Sequence, residues 1–280
     1  MRLSVVVLAL ALLLGGCAGT QARHALGPDL AGKAGWDWRI LPAGAFDLAV
    51  ATAPEPARNS TLVAYIAGDG LAYITPTMPS MDPTPTDPDS LRMALKDISG
   101  AAVAWIGRPC QYTMPTYGRD CRTAYWTQAR YAPVVIDSLN DALNTLKRRV
   151  GAKRLILVGY SGGGALAVLL AARRADVARV ITVAGDLDLA FWTAERDLSP
   201  LQESIDPVSV APELGKMPQI HFAGADDDTV GPAVTRAFMV ELPPGSPARM
   251  IVVPGFTHFC CWAKDWPSLE REALTIRPNR

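Results

Sequence analysis

Short apolar runs with little polar alternation recur along the chain from about residue 46. Such runs are typical of strands that a sheet buries on both faces, because no position along the strand then faces water. Between the runs, apolar positions recur every three or four residues, as in helices that cover a sheet. The predicted strands are FDLAVATA (46–53), TLVAYIA (61–67), AVAWIG (102–107), RLILVGY (154–160), RVITVA (179–184), QIHFA (219–223) and RMIVV (249–253).

Helical segments lie between these runs. The strongest ends at Val150 and is followed by Gly151, a residue type common at helix C-terminal caps. Shorter helices are predicted over 165–172, 234–240 and 269–274. Strands that alternate with helices predict βαβ units and a mostly parallel, twisted sheet with helices on both faces. The runs at 46–53 and 61–67 are close enough in sequence to form a hairpin.

The N-terminus follows a different pattern. Arg2 precedes an apolar run from Val5 to Leu14, which is too short to cross a bilayer as a mature helix but has the length of a signal-peptide core. The sequence LGGC that follows resembles the bacterial lipobox, in which the peptide is cleaved before the cysteine and the thiol is acylated. The resemblance implies a lipoprotein anchored through Cys17. An ordinary secretory signal with an incidental cysteine is the alternative.

These patterns divide the chain into three predicted parts. Residues 1–17 form the predicted signal peptide, and residues 18–40, which are small and polar with several glycines, form a predicted tether. Residues 41–280 form the predicted globular domain. Ala18 provides no acidic retention signal, so the expected location is the bacterial cell envelope, at the periplasmic face of the outer membrane.

Composition narrows the classes of partner. The chain has 280 residues, 49% of them hydrophobic, which suffices for one full core. Its formal net charge is zero, and no basic surface predicts nucleic-acid binding. No nucleic-acid partner is therefore expected, and the oligomeric state stays open.

Four cysteines follow Cys17. Cys110 and Cys121 bracket a loop rich in turn residues, and an exported chain meets an oxidising compartment, so we expect them to pair in a disulfide. The adjacent Cys260 and Cys261 form either a vicinal disulfide or two buried thiols, and the sequence does not decide between these. No pair has the two- to four-residue spacing that holds zinc, so no metal site is expected.

The motif with the clearest chemistry is GYSGG, residues 159–163, which follows a predicted strand and opens a predicted helix. A sharp strand-to-helix turn crowds the backbone, and glycines relieve it while the serine hydroxyl stays exposed. With this motif, the chain over about residues 46–275 resembles the α/β-hydrolase superfamily, and most of all its esterase, lipase and dienelactone-hydrolase-like branches. The resemblance implies the α/β-hydrolase fold with Ser161 as the nucleophile.

A serine nucleophile needs a general base, and histidine is the natural partner. Of the three histidines, His24 lies in the predicted tether and His221 lies within a predicted strand, where a core position is the better interpretation. His258 follows the last predicted strand, on a loop that begins at Pro254, and this position matches the histidine loop of the superfamily. We therefore predict His258 as the base.

Three aspartates in a row, in GADDDTV at 224–230, raise the question of which one is the acid. The superfamily's spacing from a glycine to the acid and on to a hydrophobic residue is met by Gly224, Asp227 and Val230. Asp227 is therefore the expected acid, which would hold the imidazole in the correct tautomer. Asp186, after the preceding predicted strand, is the alternative, because some members of the superfamily place their acid there.

The resemblance also implies an oxyanion hole. One expected donor is the backbone amide of Gly162, and the other is that of Asp69, in a loop AGDG that resembles the H-G-x-G loop of the superfamily. Two proline- and aromatic-rich loops are expected to border the pocket, and only a small cap or none is expected over it. The candidate substrate contacts are Tyr73, Tyr112, Trp126 and Tyr160.

Together these features predict a cell-envelope serine hydrolase that cleaves carboxylic esters, thioesters or amides through an acyl-enzyme, without a metal or cofactor. The predicted partners are a small-molecule or lipid ester and the membrane that holds the lipid anchor. Two alternatives stay open because a fold does not determine a function. One is a non-catalytic envelope binding or assembly lipoprotein, and the other is a serine peptidase.

Overall fold

The computed structural model describes residues 19–54, 60–113 and 118–275. The strands of the main sheet are β1 (Asp37–Ala43), β2 (Phe46–Thr52), β3 (Thr61–Ile66), β6 (Ala102–Ile106), β7 (Arg154–Tyr160), β8 (Val177–Val183), β9 (Gln219–Gly224) and β10 (Ala248–Val253). A separate ribbon pairs β4 (Tyr73–Thr75) with β5 (Met78–Pro79).

Helices connect these strands. The α-helices of the described residues are α1 (19–33), α2 (Asp89–Ala94), α3 (Pro133–Val150), α4 (Gly162–Ala172), α5 (Leu189–Glu195), α6 (Pro232–Glu241) and α7 (Trp262–Thr275). Two short 3-10 helices span Thr123–Trp126 and Pro207–Leu214. The strongest predicted helix is α3, which ends at Gly151 in the left-handed conformation, with φ of 67°. The predicted cap is therefore confirmed.

The main sheet has the order β1-β2-β6-β3-β7-β8-β9-β10. β2 pairs antiparallel with both β1 and β6, and every other neighbouring pair in the order is parallel. The mostly parallel sheet of the α/β-hydrolase fold is therefore confirmed. The predicted hairpin between 46–53 and 61–67 is wrong, because β6 lies between β2 and β3. The hairpin partner of β2 is instead β1.

Both faces of this sheet are buried, as the unbroken apolar runs predicted. In β3, Leu62, Ala64 and Ile66 join the core on the side of α3 and α4. The alternate residues Val63 and Tyr65 join a second core that contains residues of α2 and α7. Because alternate residues of a strand point to opposite faces, an apolar residue is needed at every position.

The predicted tether differs from the structure. Residues 19–33 form α1, and Asp37 to Ala43 form β1, so the folded part begins well before residue 41. α1 packs closely on the domain, because Ala31 is fully buried and a Cβ on Gly27 would lie 2.7 Å from the Trp38 ring. Glycine and small residues suggested a flexible segment, whereas here they allow close contact between the helix and the domain.

The carboxyl ends of the parallel strands meet at one edge of the sheet. The loop 67–70 follows β3, Ser161 follows β7, Asp186 follows β8, and residues 225–231 follow β9. His258 follows β10. Among the described helices, none combines the length and apolar character that crossing a membrane requires. The predicted signal peptide and Cys17 lie outside the described residues.

Candidate active site

Ser161 lies at the sharp turn between β7 and α4. Its backbone has φ of 52° and ψ of −127°, in a region that residues with side chains rarely adopt. A Cβ on Gly159 would overlap the carbonyl group of Gly163, and a Cβ on Gly163 would overlap the carbonyl oxygen of Ile66. The glycines of the motif are therefore required by close backbone contacts, and the turn presents the serine hydroxyl at the edge of the sheet.

The three residues predicted to react lie in one hydrogen-bonded series. Ser161 Oγ lies 3.0 Å from His258 Nε2, and His258 Nδ1 lies 2.9 Å from Asp227 Oδ2. A carboxylate oxygen only accepts hydrogen bonds, so Nδ1 carries a proton and donates a hydrogen bond to Asp227. Nε2 is then free to accept a hydrogen bond from the serine hydroxyl. This arrangement is able to remove the serine proton as the hydroxyl attacks a carbonyl group.

Only the middle aspartate of GADDDTV contacts the imidazole. Asp227 is 7% exposed, whereas Asp226 and Asp228 are exposed to solvent. Its second carboxylate oxygen accepts hydrogen bonds from the backbone amides of Thr229 and Val230, each at 2.8 Å. These amides fix the rotamer that points Oδ2 at His258.

Asp186, the alternative acid, contacts a different residue. Its Oδ2 accepts a hydrogen bond of 2.8 Å from the Tyr131 hydroxyl. Burial raises the pKa of Asp186, and the carboxylate of Asp69 raises it further. The geometry therefore favours Asp227 over Asp186 as the partner of the imidazole.

Aromatic residues hold the histidine loop. The backbone carbonyl of His258 accepts hydrogen bonds from the Tyr160 hydroxyl at 2.7 Å and from Trp262 Nε1 at 3.1 Å. Tyr160 is the residue before Ser161, so one side chain links the serine turn to the histidine loop. The positions of nucleophile and base are thus coupled through a buried hydrogen bond.

The loop after β3 contacts the serine turn. A Cβ on Gly68 would lie 3.2 Å from Ser161 Cβ, and one on Gly162 would overlap the Asp69 carboxylate. This places the loop 67–70 beside the first turn of α4, where the predicted oxyanion donors, the amides of Gly162 and Asp69, are expected.

Two buried arginines hold the Asp69 side chain. Arg108 Nη1 donates to Asp69 Oδ1 and Arg130 Nη1 donates to Asp69 Oδ2. The arginine side chains are 2% and 6% exposed. Burial acts to raise the pKa of Asp69, but Arg130 and Arg108 outweigh it and lower the pKa below its ordinary value. Asp69 is therefore an ionic anchor for its loop.

This cluster was not predicted from the sequence. Arg108 Nη2 also donates to the backbone carbonyl of Arg130, and the Tyr131 hydroxyl lies 3.5 Å from Asp69 Oδ1. The available signal was the position of Arg108, directly after an apolar strand whose carboxyl end faces the site. Nothing in the sequence around Arg130 indicated that it would share the same carboxylate.

A cavity of about 400 Å³ opens at the candidate site. Its wall includes Ser161 and His258, the loop 67–70, the segment 85–90 and Asp186. Between β8 and β9 the chain forms α5 and a 3-10 helix, and of these two elements only α5 contributes to the cavity wall, through Trp192. The cap over the site is therefore small, which agrees with the expectation of a small cap or none. A cavity of this size accommodates a small ester or part of a longer one.

The four candidate substrate contacts differ in position. Tyr160 lines the cavity. Tyr112 instead packs against the rings of Trp38 and Trp105. Trp126 is buried and donates a hydrogen bond to a backbone carbonyl, and Tyr73 is 37% exposed on the ribbon. Of the four, only Tyr160 is among the residues that line this cavity.

The described cysteines form two pairs. Cys110 and Cys121 are joined by a disulfide, with their Cα atoms 5.7 Å apart, as predicted. Cys260 and Cys261 are also joined to each other, which is the first of the two expected states. Cys260 is exposed and Cys261 is partly exposed, so this pair lies at the surface of the histidine loop. Within the described residues, no group of three or more metal-binding side chains could hold a metal ion.

Comparison with known proteins assigns the chain to a family. The model for the dienelactone hydrolase family matches residues 114–258, slightly more than half of the chain, and this range includes Ser161, Asp227 and His258. The chain belongs to the dienelactone hydrolase family. In this dienelactone hydrolase family member, Ser161, Asp227 and His258 follow the carboxyl ends of β7, β9 and β10 in a mostly parallel sheet.

Curated relatives of this family member include cutinases. Cutinase 2 of Thermobifida cellulosilytica is 28% identical over 166 residues, which cover 57% of this chain and 55% of the relative. Cutinase cut1 of Thermobifida fusca is 28% identical over 166 residues, which cover 57% of this chain and 46% of the relative. The chain therefore spans about half the length of the curated relatives it matches.

Solved structures share the fold. A puromycin hydrolase superposes with a TM-score of 0.62 at 18% identity, over 85% of this chain and 38% of that one. An α/β serine hydrolase homologue from Coxiella burnetii superposes with a TM-score of 0.59 at 14% identity, over 85% of this chain and 95% of that one. An esterase of Pyrococcus furiosus superposes with a TM-score of 0.60 at 13% identity, over 86% of this chain and 91% of that one. At these identities the likeness shows the α/β-hydrolase fold alone.

Proposed function

We propose that the protein is a serine hydrolase that cleaves carboxylic esters. The observation that carries the proposal is the hydrogen-bonded series from Ser161 through His258 to Asp227 beside a cavity of about 400 Å³. Membership of the dienelactone hydrolase family and similarity to cutinases support an ester as the substrate class.

In the first step, Ser161 Oγ attacks the ester carbonyl carbon while His258 Nε2 takes the hydroxyl proton. Asp227 stabilises the imidazolium that results. The backbone amides of Gly162 and Asp69 donate hydrogen bonds to the oxyanion. The bond between the carbonyl carbon and the alcohol oxygen then breaks, His258 returns the proton to the leaving alcohol, and the acyl group stays on Ser161.

In the second step, water enters after the alcohol has left. His258 Nε2 removes a proton from the water as its oxygen attacks the acyl carbon. The bond to Ser161 Oγ breaks, the serine oxygen takes the proton from His258, and the carboxylic acid is released. The roles of base and acid thus alternate on a single nitrogen atom, whose orientation the Tyr160 hydroxyl supports through the loop carbonyl.

A fluorophosphonate probe tests the proposal, because it labels serines that a neighbouring base activates. Purified full-length protein is expected to be labelled and to hydrolyse short chromogenic esters, and Ser161→Ala is expected to lose both properties. Ser268→Ala, an exposed serine on α7, is the matched control and should behave as the wild type. Folded wild-type protein that takes no label and turns over no ester would contradict the proposal.

We also propose that the protein is held at the cell envelope by a lipid on Cys17. The support for this is the apolar run before LGGC in the sequence. Metabolic labelling with radioactive palmitate is expected to mark the wild-type protein and to leave Cys17→Ser unlabelled. An established lipoprotein that takes label in the same cells while the wild type does not would refute the anchor.

A further inference from the structure

An uncharged segment beside the cavity exposes several apolar side chains. Residues 71–81, LAYITPTMPSM, include β4 and β5 and contain no charged residue. Of the ten large apolar side chains that are exposed among the described residues, four lie in this segment. We call these four the apolar ribbon surface: Tyr73, Ile74, Met78 and Met81. Met81 is the most exposed of them, at 81%. Single exposed apolar residues are ordinary, but a group of four in nine residues indicates a contact surface.

The base of this ribbon is fixed to the domain. Ala72 is buried in a small cluster with Cys110 and Trp126. The amide of Ser80 donates to the Ala72 carbonyl at 2.9 Å, and Trp126 Nε1 donates to the Ser80 carbonyl at 3.0 Å. These contacts hold the two ends of the ribbon together. The apolar ribbon surface is therefore presented to solvent by an ordered base.

The ribbon lies at the rim of the candidate site. The chain lines the cavity up to Gly70, forms the ribbon, and lines the cavity again from Pro85. Phe259, in the histidine loop, lines the same cavity and is 73% exposed. Anything that binds to the apolar ribbon surface therefore lies next to the cavity opening.

The helix α1 connects this rim to the N-terminus. His24 Nε2 lies 2.8 Å from Asp82 Oδ2, and Arg23 Nη2 donates to the same oxygen at 3.3 Å. Asp82 is the residue after Met81. α1 begins at residue 19, and the five residues from there to His24 span about 7.5 Å of helix. Cys17 precedes α1 by two positions, so the proposed lipid attachment lies on the same side of the domain as Met81.

We propose that the apolar ribbon surface docks on a lipid bilayer, with its side chains among the headgroups and the first acyl carbons. This inference goes beyond ester hydrolysis, and it rests on the proposed anchor for the choice of a bilayer over a protein partner. Transfer of the ribbon from water removes apolar area and requires no charge to be desolvated. A lipid on Cys17 supplies a high effective concentration, so a small docking surface suffices.

A site-specific dye on tethered protein tests the docking without relying on acylation. Full-length Cys17→Ser protein with an N-terminal hexahistidine tag is held on vesicles of phosphatidylethanolamine and phosphatidylglycerol that contain nickel-chelating lipids. A nitrobenzoxadiazole dye is attached at Met78→Cys. The four other cysteines are paired in disulfides and do not react with it.

The matched control carries the dye at Val240→Cys. Val240 is 79% exposed on α6, a helix that packs in the core on the side of α3, whereas α1 packs in the other core. We expect nitroxide-labelled lipids to quench the dye at position 78 at least about threefold more than at position 240, because docked side chains lie about 5–10 Å into the headgroup boundary.

A double substitution assigns the quenching to the apolar ribbon surface. Ile74→Ser with Met81→Ser, in the Met78→Cys protein, is expected to lower the quenching to within about 1.5-fold of the value at position 240, because most of the apolar area is lost. Ile98→Ser is the matched control, since Ile98 is exposed but precedes β6, at the sheet edge away from the cavity. It should keep the quenching. Circular dichroism checks that each variant is folded.

Three results would overturn the inference: equal quenching at positions 78 and 240, quenching that survives the double substitution, or a dye response at position 78 that follows protein concentration without vesicles. The last would assign the surface to a second copy of this chain. Failure of the earlier proposals gives other patterns. Wild type that takes no palmitate, beside tagged protein that is quenched at position 78, would remove the anchor and leave the docking surface standing. Absence of fluorophosphonate label would contradict ester hydrolysis alone.

Discussion

Substitution of Asp69 by Asn tests whether the ionic anchor of the oxyanion loop stabilises the fold. Asp69→Asn keeps the shape of the side chain but removes the charge that both Arg108 and Arg130 contact. Two guanidinium groups, 2% and 6% exposed, are then left without an ionic partner. Buried charges without partners are strongly destabilising because neither water nor a counter-ion solvates them.

The expected loss follows from the burial of the arginines. Removing one partner of a buried ion pair costs about 3–5 kcal/mol. Because the asparagine carbonyl still accepts one hydrogen bond, we expect the lower end, about 3 kcal/mol. This is a large part of the roughly 5–15 kcal/mol that stabilises a typical domain. With a slope of about 3 kcal/mol per molar urea, the unfolding midpoint should fall by about 1 M.

Urea unfolding followed by tryptophan fluorescence at pH 7 measures the midpoint. The control is Asp137→Asn, whose partner Arg173 lies 3.1 Å away with both side chains exposed. Surface pairs contribute about 0–1 kcal/mol, so its midpoint should fall by no more than about 0.3 M. Equal, small shifts in both variants would refute the reasoning, since burial would then make no difference to the cost of losing the carboxylate.

Three further predictions concern the acid, a buried carboxyl and the serine turn. Asp227→Asn is expected to lower kcat for a chromogenic ester by about 10⁴-fold, because the imidazole is no longer held in the tautomer that accepts the serine proton. The control Asp228→Asn, at an exposed neighbour, should keep kcat within about twofold of the wild type. Equal losses of kcat in the two variants would contradict the assignment of Asp227 as the acid. Burial raises the pKa of Glu270 from 4.5 to about 8, so the folded protein holds a proton that the unfolded chain releases, and the free energy of unfolding should fall as the pH rises from about 4.5 to about 8. Urea titrations at pH 5 and pH 8 should show that Glu270→Gln removes this fall, and a pH dependence unchanged by the substitution would argue against it. Gly163→Ala should lower the melting temperature, because its Cβ overlaps the backbone of β3, whereas Gly32→Ala, with nothing within 4 Å, should not; similar melting temperatures would contradict the packing.

The residues of the hydrogen-bonded series could be predicted because each carries a local signal. Ser161 lies in a glycine turn between an apolar run and a helix. His258 is the histidine that follows the last strand, and the spacing from Gly224 selects Asp227 among three aspartates. Their proximity follows from the parallel sheet, whose carboxyl ends meet at one edge. Local pattern and topology therefore pointed to the same site.

The ionic cluster and the N-terminal helix lacked such signals. Arg108 and Arg130 both contact Asp69 because the fold brings three separate loops together. No spacing of residues along the sequence predicts that contact. In α1, glycines and a proline weaken the helix propensity, but contacts such as the burial of Ala31 outweigh it. The placement of β6 between β2 and β3 likewise depends on pairing between strands that are distant in sequence, which the local pattern does not indicate.

The packing of α1 has a consequence for where the protein works. Cys17 precedes the first described helical residue by two positions, a distance of at most about 7 Å along the chain. If Cys17 is acylated as proposed, the folded domain would lie directly at the bilayer. The reason is that α1 packs on the domain, and too few residues separate α1 from Cys17 to form a long flexible linker. The hydrolase would then act only within about one domain diameter, roughly 50 Å, of the lipid headgroups. Its working range would be a thin layer next to the membrane.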